Sequence, residues 1–184
     1  MSNRAIYQVD PSVRRLENQG VASVNYAITD QDQRVLRYEL ETFVCDGQYE
    51  KGMEHIVETF LANIDRAQQP AVWVSGFYGS GKSHLVKMLR ALWVDTKFKD
   101  GATARGIAKL PANVKSVLKE LTVQATRHGG VHAASGTLGA GATGSIRLAL
   151  LRVIFTSVGL PEKYPLARFV MWLKREGIYD QVRG

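Results

Sequence analysis

Cysteine is almost absent: Cys45 is the single one in 184 residues. An internal disulfide is thereby excluded. A lone thiol beside no cysteine or histidine cluster is a poor metal ligand, so its simplest role is a small, half-buried side chain. No apolar run approaches the ~20 residues that a membrane span needs. The opening residues, MSNRAIYQVD, lack the apolar centre of a secretion signal. These absences together predict a cytoplasmic protein with no membrane association. The four histidines share no metal-ligand spacing apart from His128 and His132, and that pair straddles Gly129-Gly130, which interrupts a helix. Acidic residues become scarce after the midpoint. Residues 1–92 hold 10 Lys/Arg against 11 Asp/Glu, whereas residues 93–184 hold 14 against 6. A basic half serves nucleic acid, an acidic partner or plain solubility. The excess is scattered rather than clustered, and all three remain open.

What is present is a composition of 45% apolar and 22% charged residues, that of a globular protein with a real core. The stretch around which it is organised is Ala71 to Leu92, AVWVSGFYGSGKSHLVKMLRAL. It predicts a buried strand over Ala71–Ser75, a glycine-rich turn, and an amphipathic helix opening at Lys82. The turn, Gly76-Phe77-Tyr78-Gly79-Ser80-Gly81-Lys82-Ser83, fits G-x-x-x-x-G-K-[ST], the phosphate-binding P-loop. Gly76, Gly79 and Gly81 let the backbone turn sharply and approach a ligand closely. Backbone N–H groups of the turn and of the new helix then converge on a polyphosphate. Lys82 would reach the β- and γ-phosphates, and the Ser83 hydroxyl would take one position on Mg²⁺. Four fixed positions match by chance in roughly 1% of chains this long. The apolar run before the loop and Leu85, Met88, Leu89 and Leu92 after it weaken the chance reading further. The predicted ligands are ATP and Mg²⁺, with Gly76 through His84 as the nucleotide-binding residues. His84, just inside the helix, also reads as a packing or surface residue.

The rest of the chain supplies a frame. Val21–Ala27 alternates loosely and reads as a short strand. Thr29 or Asp30 caps a helix carrying Val35, Leu36, Leu40 and Phe43, which Asp46-Gly47 breaks. A second helix from Gln48 has an apolar stripe of Met53, Ile56, Val57, Phe60, Leu61 and Ile64, with Glu50, Glu54 and Glu58 on another face. After the loop helix, which ends near Asp95, Lys97–Gly106 reads as a charged loop and Pro111 to about Thr122 as a helix. Thr122–Thr126 or Gly130–Ala134 would supply a further strand. Residues 129–144, GGVHAASGTLGAGATG, are too rich in glycine to hold one backbone conformation alone. They serve as a flexible connection or as a loop that folds over nucleotide. Ile146–Val158 is apolar nearly all round and predicts a helix buried against a sheet. Residues 165–176 make a last amphipathic helix. The expected architecture is α/β: a P-loop core over 67–184, a parallel sheet flanked by helices, preceded by a mainly helical segment over 1–66.

A P-loop hydrolase normally adds a second strand ending in Asp or Asp-Glu. The six acids after the loop are Asp95, Asp100, Glu120, Glu162, Glu176 and Asp180, and none follows a convincing strand; Asp95 ends a helical stripe. The base-reading motif N-K-x-D is also lacking, so GTP selectivity has no support.

The segments ELETFVCDGQYEKGMEHIVETFLANI and VWVSGFYGSGKSHLVKML, taken together, resemble the start of the large P-loop ATPases of bacterial phage-defence islands, the BREX-type BrxC/PglY family. ASGTLGAGATGSIRLALLRVIF and GLPEKYPLARFVMWLKREG are compatible with the region after the loop in such proteins. The resemblance implies an N-terminal portion of a longer ATPase, with the acidic second motif beyond residue 184. It also implies DNA or other defence-system proteins as partners, and leaves room for an oligomer, in which a neighbouring subunit would supply any arginine finger the family uses. Two alternatives stand beside it: a binding module switched by nucleotide without hydrolysis, and a small-molecule kinase with a lid over residues 97–109.

Overall fold

A computed structural model describes residues 29–138 and 145–183. Its elements in chain order are α1 (Asp30–Thr42), α2 (Gly47–Leu61), α3 (Lys82–Trp93), α4 (Ala104–Ile107), α5 (Ala112–Arg127), α6 (Ile146–Ser157), α7 (Tyr164–Arg175) and α8 (Tyr179–Arg183). The described residues contain no strand; an isolated antiparallel bridge between Lys97 and Thr103 is the β-pairing present.

The expected α/β core, a parallel sheet flanked by helices, is therefore corrected: the described architecture is helical. Ala71–Ser75 is not a buried strand. It is irregular backbone with Trp73 90% exposed and Val72 half-exposed. A strand persists only where a neighbour takes up its N–H and C=O groups, and neither partner foreseen for it is a strand. Thr122–Thr126 lies inside α5, and Gly130–Ala134 has no regular structure. In α5 the residues Val114, Leu118, Leu121 and Ala125 are all buried, so the period of three to four overrode the β-branched character of Thr122 and Val123. The strand expected over Val21–Ala27 lies outside the described residues.

The helix signals themselves held well. Thr29 caps α1 through a full capping box with Asp32, the side chain of each accepting from the other's backbone N–H. Residues 43–46 separate α1 from α2, which opens on Gly47 at a φ of +53°. The main core gathers buried side chains from α1 (Leu36, Leu40), α2 (Met53, Val57), α3 (Leu85, Met88, Leu92) and α5 (Val114, Leu118, Leu121). Each such burial is worth about 1.5–3 kcal/mol. The stripes of α2 and α5 face each other, and Asn113 on α5 donates to Glu54 on α2 at 2.9 Å. Glu39 on α1 and Lys87 on α3 form an ion pair at 2.5 Å with both side chains largely covered.

The segment after α3 is more ordered than a charged loop. Phe98 and Ala104 are buried, and Arg37 binds Asp100 at 2.5 Å while lying over the Phe98 ring. Arg105 is half-buried, and its guanidinium donates to the carbonyls of Leu92, Trp93 and Leu118 and to the Thr122 hydroxyl, at 2.6 to 3.0 Å. It thus closes the C-terminus of α3 and ties it to α5.

The last three helices pack as α6 on α7 and α7 on α8. The expectation that α6 is buried against a sheet is the second to be corrected. Phe155 is its buried residue, while Ile146, Leu148, Leu150 and Ile154 are 49–64% exposed. With no sheet among the described residues to cover it, α6 is left largely exposed. No helix among the described residues is long and apolar enough to cross a membrane.

Candidate functional site

The loop from Gly76 to Ser83 folds around its own lysine. Lys82 Nζ donates to the carbonyls of Gly76 at 2.8 Å and Phe77 at 2.7 Å, with Ser80 Oγ at 3.5 Å. A turn within the loop is held by Ser80 N–H donating to the Phe77 carbonyl at 3.1 Å. Gly79 and Gly81 have φ near +80°, a left-handed backbone that costs a residue with a Cβ roughly 1–2 kcal/mol. At Gly76 the need is close approach: a Cβ there would lie 2.7 Å from Ser80 Oγ. At Gly81 it would lie 2.1 Å from the Tyr49 hydroxyl.

Tyr49 is a contributor that the spacing of the motif could not reveal. From the first turn of α2 its hydroxyl donates to the Ser80 carbonyl at 2.7 Å. Its ring meets Phe43 edge-on at 6.4 Å. The loop is thereby anchored to the α1–α2 corner across 31 residues of sequence.

Helix α3 opens directly from the loop. Gly81 stands at its N-cap and makes no side-chain cap, so the first amides of the helix are available to an anion. Ser83 is exposed on the first turn. His84 follows Ser83 and is partly buried. Its ring packs against Phe43 at 5.7 Å, and burial lowers its pKa, opposed by Glu39 and assisted by Lys87. The loop residues Phe77 and Tyr78 are more than nine-tenths exposed, so they form the outer surface of the loop and leave its interior to backbone.

The arrangement fits a polyphosphate with Mg²⁺. It offers a ring of backbone around a fixed ammonium, two glycines whose Cβ positions other atoms occupy, and an exposed hydroxyl one residue into a helix.

The acids after the loop are engaged elsewhere or lie apart. Asp95, at a φ of +46°, accepts from the Arg105 amide at 2.9 Å. It stands 12 residues beyond Ser83, past the opposite end of α3, roughly 18 Å along the axis at 1.5 Å per residue. Asp100 is paired with Arg37, Glu120 accepts from Gln124, and Glu176 pairs with Arg175. His128 lies 3.4 Å from Asp65, and His132 bonds Ser157; no group of three or more potential metal ligands occurs among the described residues. Of the residues weighed as a kinase lid, Arg105 is committed to the α3–α5 junction, and Lys99 reaches Asp30 at 2.6 Å. No protein-family model matches the chain, and no solved structure is a significant match.

Proposed function

We propose that this protein binds ATP·Mg²⁺ at Gly76–Ser83 and is a cytoplasmic ATPase component resembling the phage-defence BREX-type proteins, acting on DNA or on partners that do. The observation that supports nucleotide binding best is the position of Lys82. Its ammonium is held inside the loop by two carbonyls, on the first residue of a helix that no side chain caps. Terminal phosphate oxygens would draw the ammonium from those carbonyls and take the open amides, while Ser83 Oγ would complete a metal ligand set made mostly of water and phosphate.

One observation favours a second reading, a module that binds nucleotide without turning it over. Among the six acids after the loop, Asp95 is held by the Arg105 amide at the far end of α3, so the carboxylate best placed in sequence is remote from Ser83.

Titration calorimetry with a non-hydrolysable ATP analogue and Mg²⁺ tests the site. Wild type is expected to bind, Lys82→Ala to lose most of the affinity, and Ser83→Ala to weaken binding mainly when Mg²⁺ is present. Equal affinity in wild type and Lys82→Ala would sink the assignment. A phosphate-release assay separates the two readings. Turnover of order one per second, lost in Lys82→Ala, supports a hydrolase, and turnover near background supports the switch.

A further inference from the structure

We infer that a second ligand site, separate from the glycine loop, lies in the cleft where the segment after α5 runs between α3 and α6, and that it takes a small hydroxylated organic phosphate. The cleft holds about 790 Å³, within the range of small-molecule sites. Gly136 sets its shape: a Cβ there would lie 2.8 Å from Val153 Cγ2, so the segment passes hard against α6 only because it has no side chain at that point.

The chemistry of the walls is specific. Arg90 from α3 and Arg152 from α6 line the cleft from different helices, against a single carboxylate, Glu162. Arg90 makes contacts of its own, which leaves Arg152 as the more adaptable cation. Arg152 offers a planar fork to an anion, and Arg90, engaged in contacts of its own, adds positive charge from a second wall, which suits the higher charge of a phosphomonoester over the single charge of a carboxylate.

Ser135 and Thr137 add hydroxyls to the walls, and three further groups are set as acceptors. The Thr156 hydroxyl spends its proton on the Arg152 carbonyl at 2.8 Å, and the Ser157 hydroxyl spends its own on the Ile154 carbonyl at 2.6 Å. Ser157 Oγ then accepts from His132 Nε2, 3.0 Å away, and in the neutral ring that tautomer leaves a lone pair on Nδ1. Thr156 Oγ1 and His132 Nδ1 therefore receive hydroxyl protons from a ligand, while the arginines hold its anion. A sugar phosphate has both features in one molecule.

The test uses the full chain carrying Lys82→Ala, so that the glycine loop is silenced, and titrates ribose 5-phosphate by calorimetry. Binding equal to that of wild type is expected. Arg152→Ala should weaken it by tenfold or more, and His132→Ala by several-fold. Helical circular dichroism should be unchanged in Arg152→Ala, since that side chain is exposed. Inorganic phosphate and gluconate, each lacking half of the recognition set, should bind more weakly than ribose 5-phosphate. No heat with ribose 5-phosphate at millimolar concentration, loss of its binding in Lys82→Ala alone, or unchanged affinity in Arg152→Ala would each overturn the inference. Tighter binding of gluconate would overturn the phosphate assignment. Because the P-loop test reads Mg²⁺-dependent triphosphate affinity and this one reads a monophosphate in a Lys82→Ala background, either can fail alone.

Discussion

Replacing Arg105 with alanine should be among the most damaging single changes outside the apolar core. The guanidinium makes four hydrogen bonds, to three carbonyls and the Thr122 hydroxyl. Net worth of about 1.5–3 kcal/mol per bond to a charged group would sum to roughly 6–12 kcal/mol. That sum is too large, because burial already penalises the cation: it lowers the Arg105 pKa, with Asp95 partly opposing. The side chain is also only half-buried, so water replaces some of the lost partners. Removal should therefore cost about 3 kcal/mol. With an m-value of about 2 kcal/mol/M in urea, the midpoint should fall by about 1.5 M. Arg105→Lys, which keeps the charge but has one donor group in place of a planar fork, should recover less than half of the loss. Urea denaturation followed by circular dichroism reads all three proteins. A loss below about 1 kcal/mol for Arg105→Ala, or full recovery by lysine, would refute the view that the fork closes the end of α3.

Three further outcomes follow from the loop and its surroundings. Gly81→Ala should cost about 2–3 kcal/mol, from left-handed backbone strain and displacement of the Tyr49 hydroxyl; in a Tyr49→Phe background the cost should drop by about 1 kcal/mol, and an urea-denaturation cycle without that coupling counts against the anchor. Burial, with Glu50 and Asp46 adding to it, pushes the Cys45 thiol up to about 11, so at pH 8 its reaction with Ellman's reagent should be on the order of 10²-fold slower than in the unfolded chain; rates within tenfold of each other contradict that burial. His84 has a folded-state pKa below its unfolded value, so its neutral form contributes stability fully above about pH 6.5 and loses it as the pH falls through the folded value, because the unfolded chain takes up the proton first; His84→Phe should flatten the slope of stability against pH just below 6.5, and an unchanged slope assigns it to other groups.

The local signals in this sequence determined the longer helices and the loop, while the short α4 and α8 were not read from it. Thr29, weighed beside Asp30 as the cap, announces the start of α1, and Asp46-Gly47 the break before α2. The spacing of Leu85, Met88 and Leu92 places α3 immediately after the glycine motif. These features act over one or two turns of chain, where capping, backbone freedom and apolar period dominate. That the expected sheet would be missing from the described residues was not legible, because a strand exists only in relation to a partner. Val72-Trp73-Val74 has strand composition, but no described segment supplies the neighbouring backbone, and Trp73 is left exposed. The same dependence left α6 half-covered despite its apolar sequence. Tertiary structure alone decided which side chains meet. It brought Tyr49 to Ser80 across 31 residues, turned His84 onto Phe43, and withdrew Asp95 and Arg105 from the ligand chemistry weighed for them to hold the end of α3. Spacing along the chain carries no information about such contacts, since they are set by how α1, α2, α3 and α5 close around a common core.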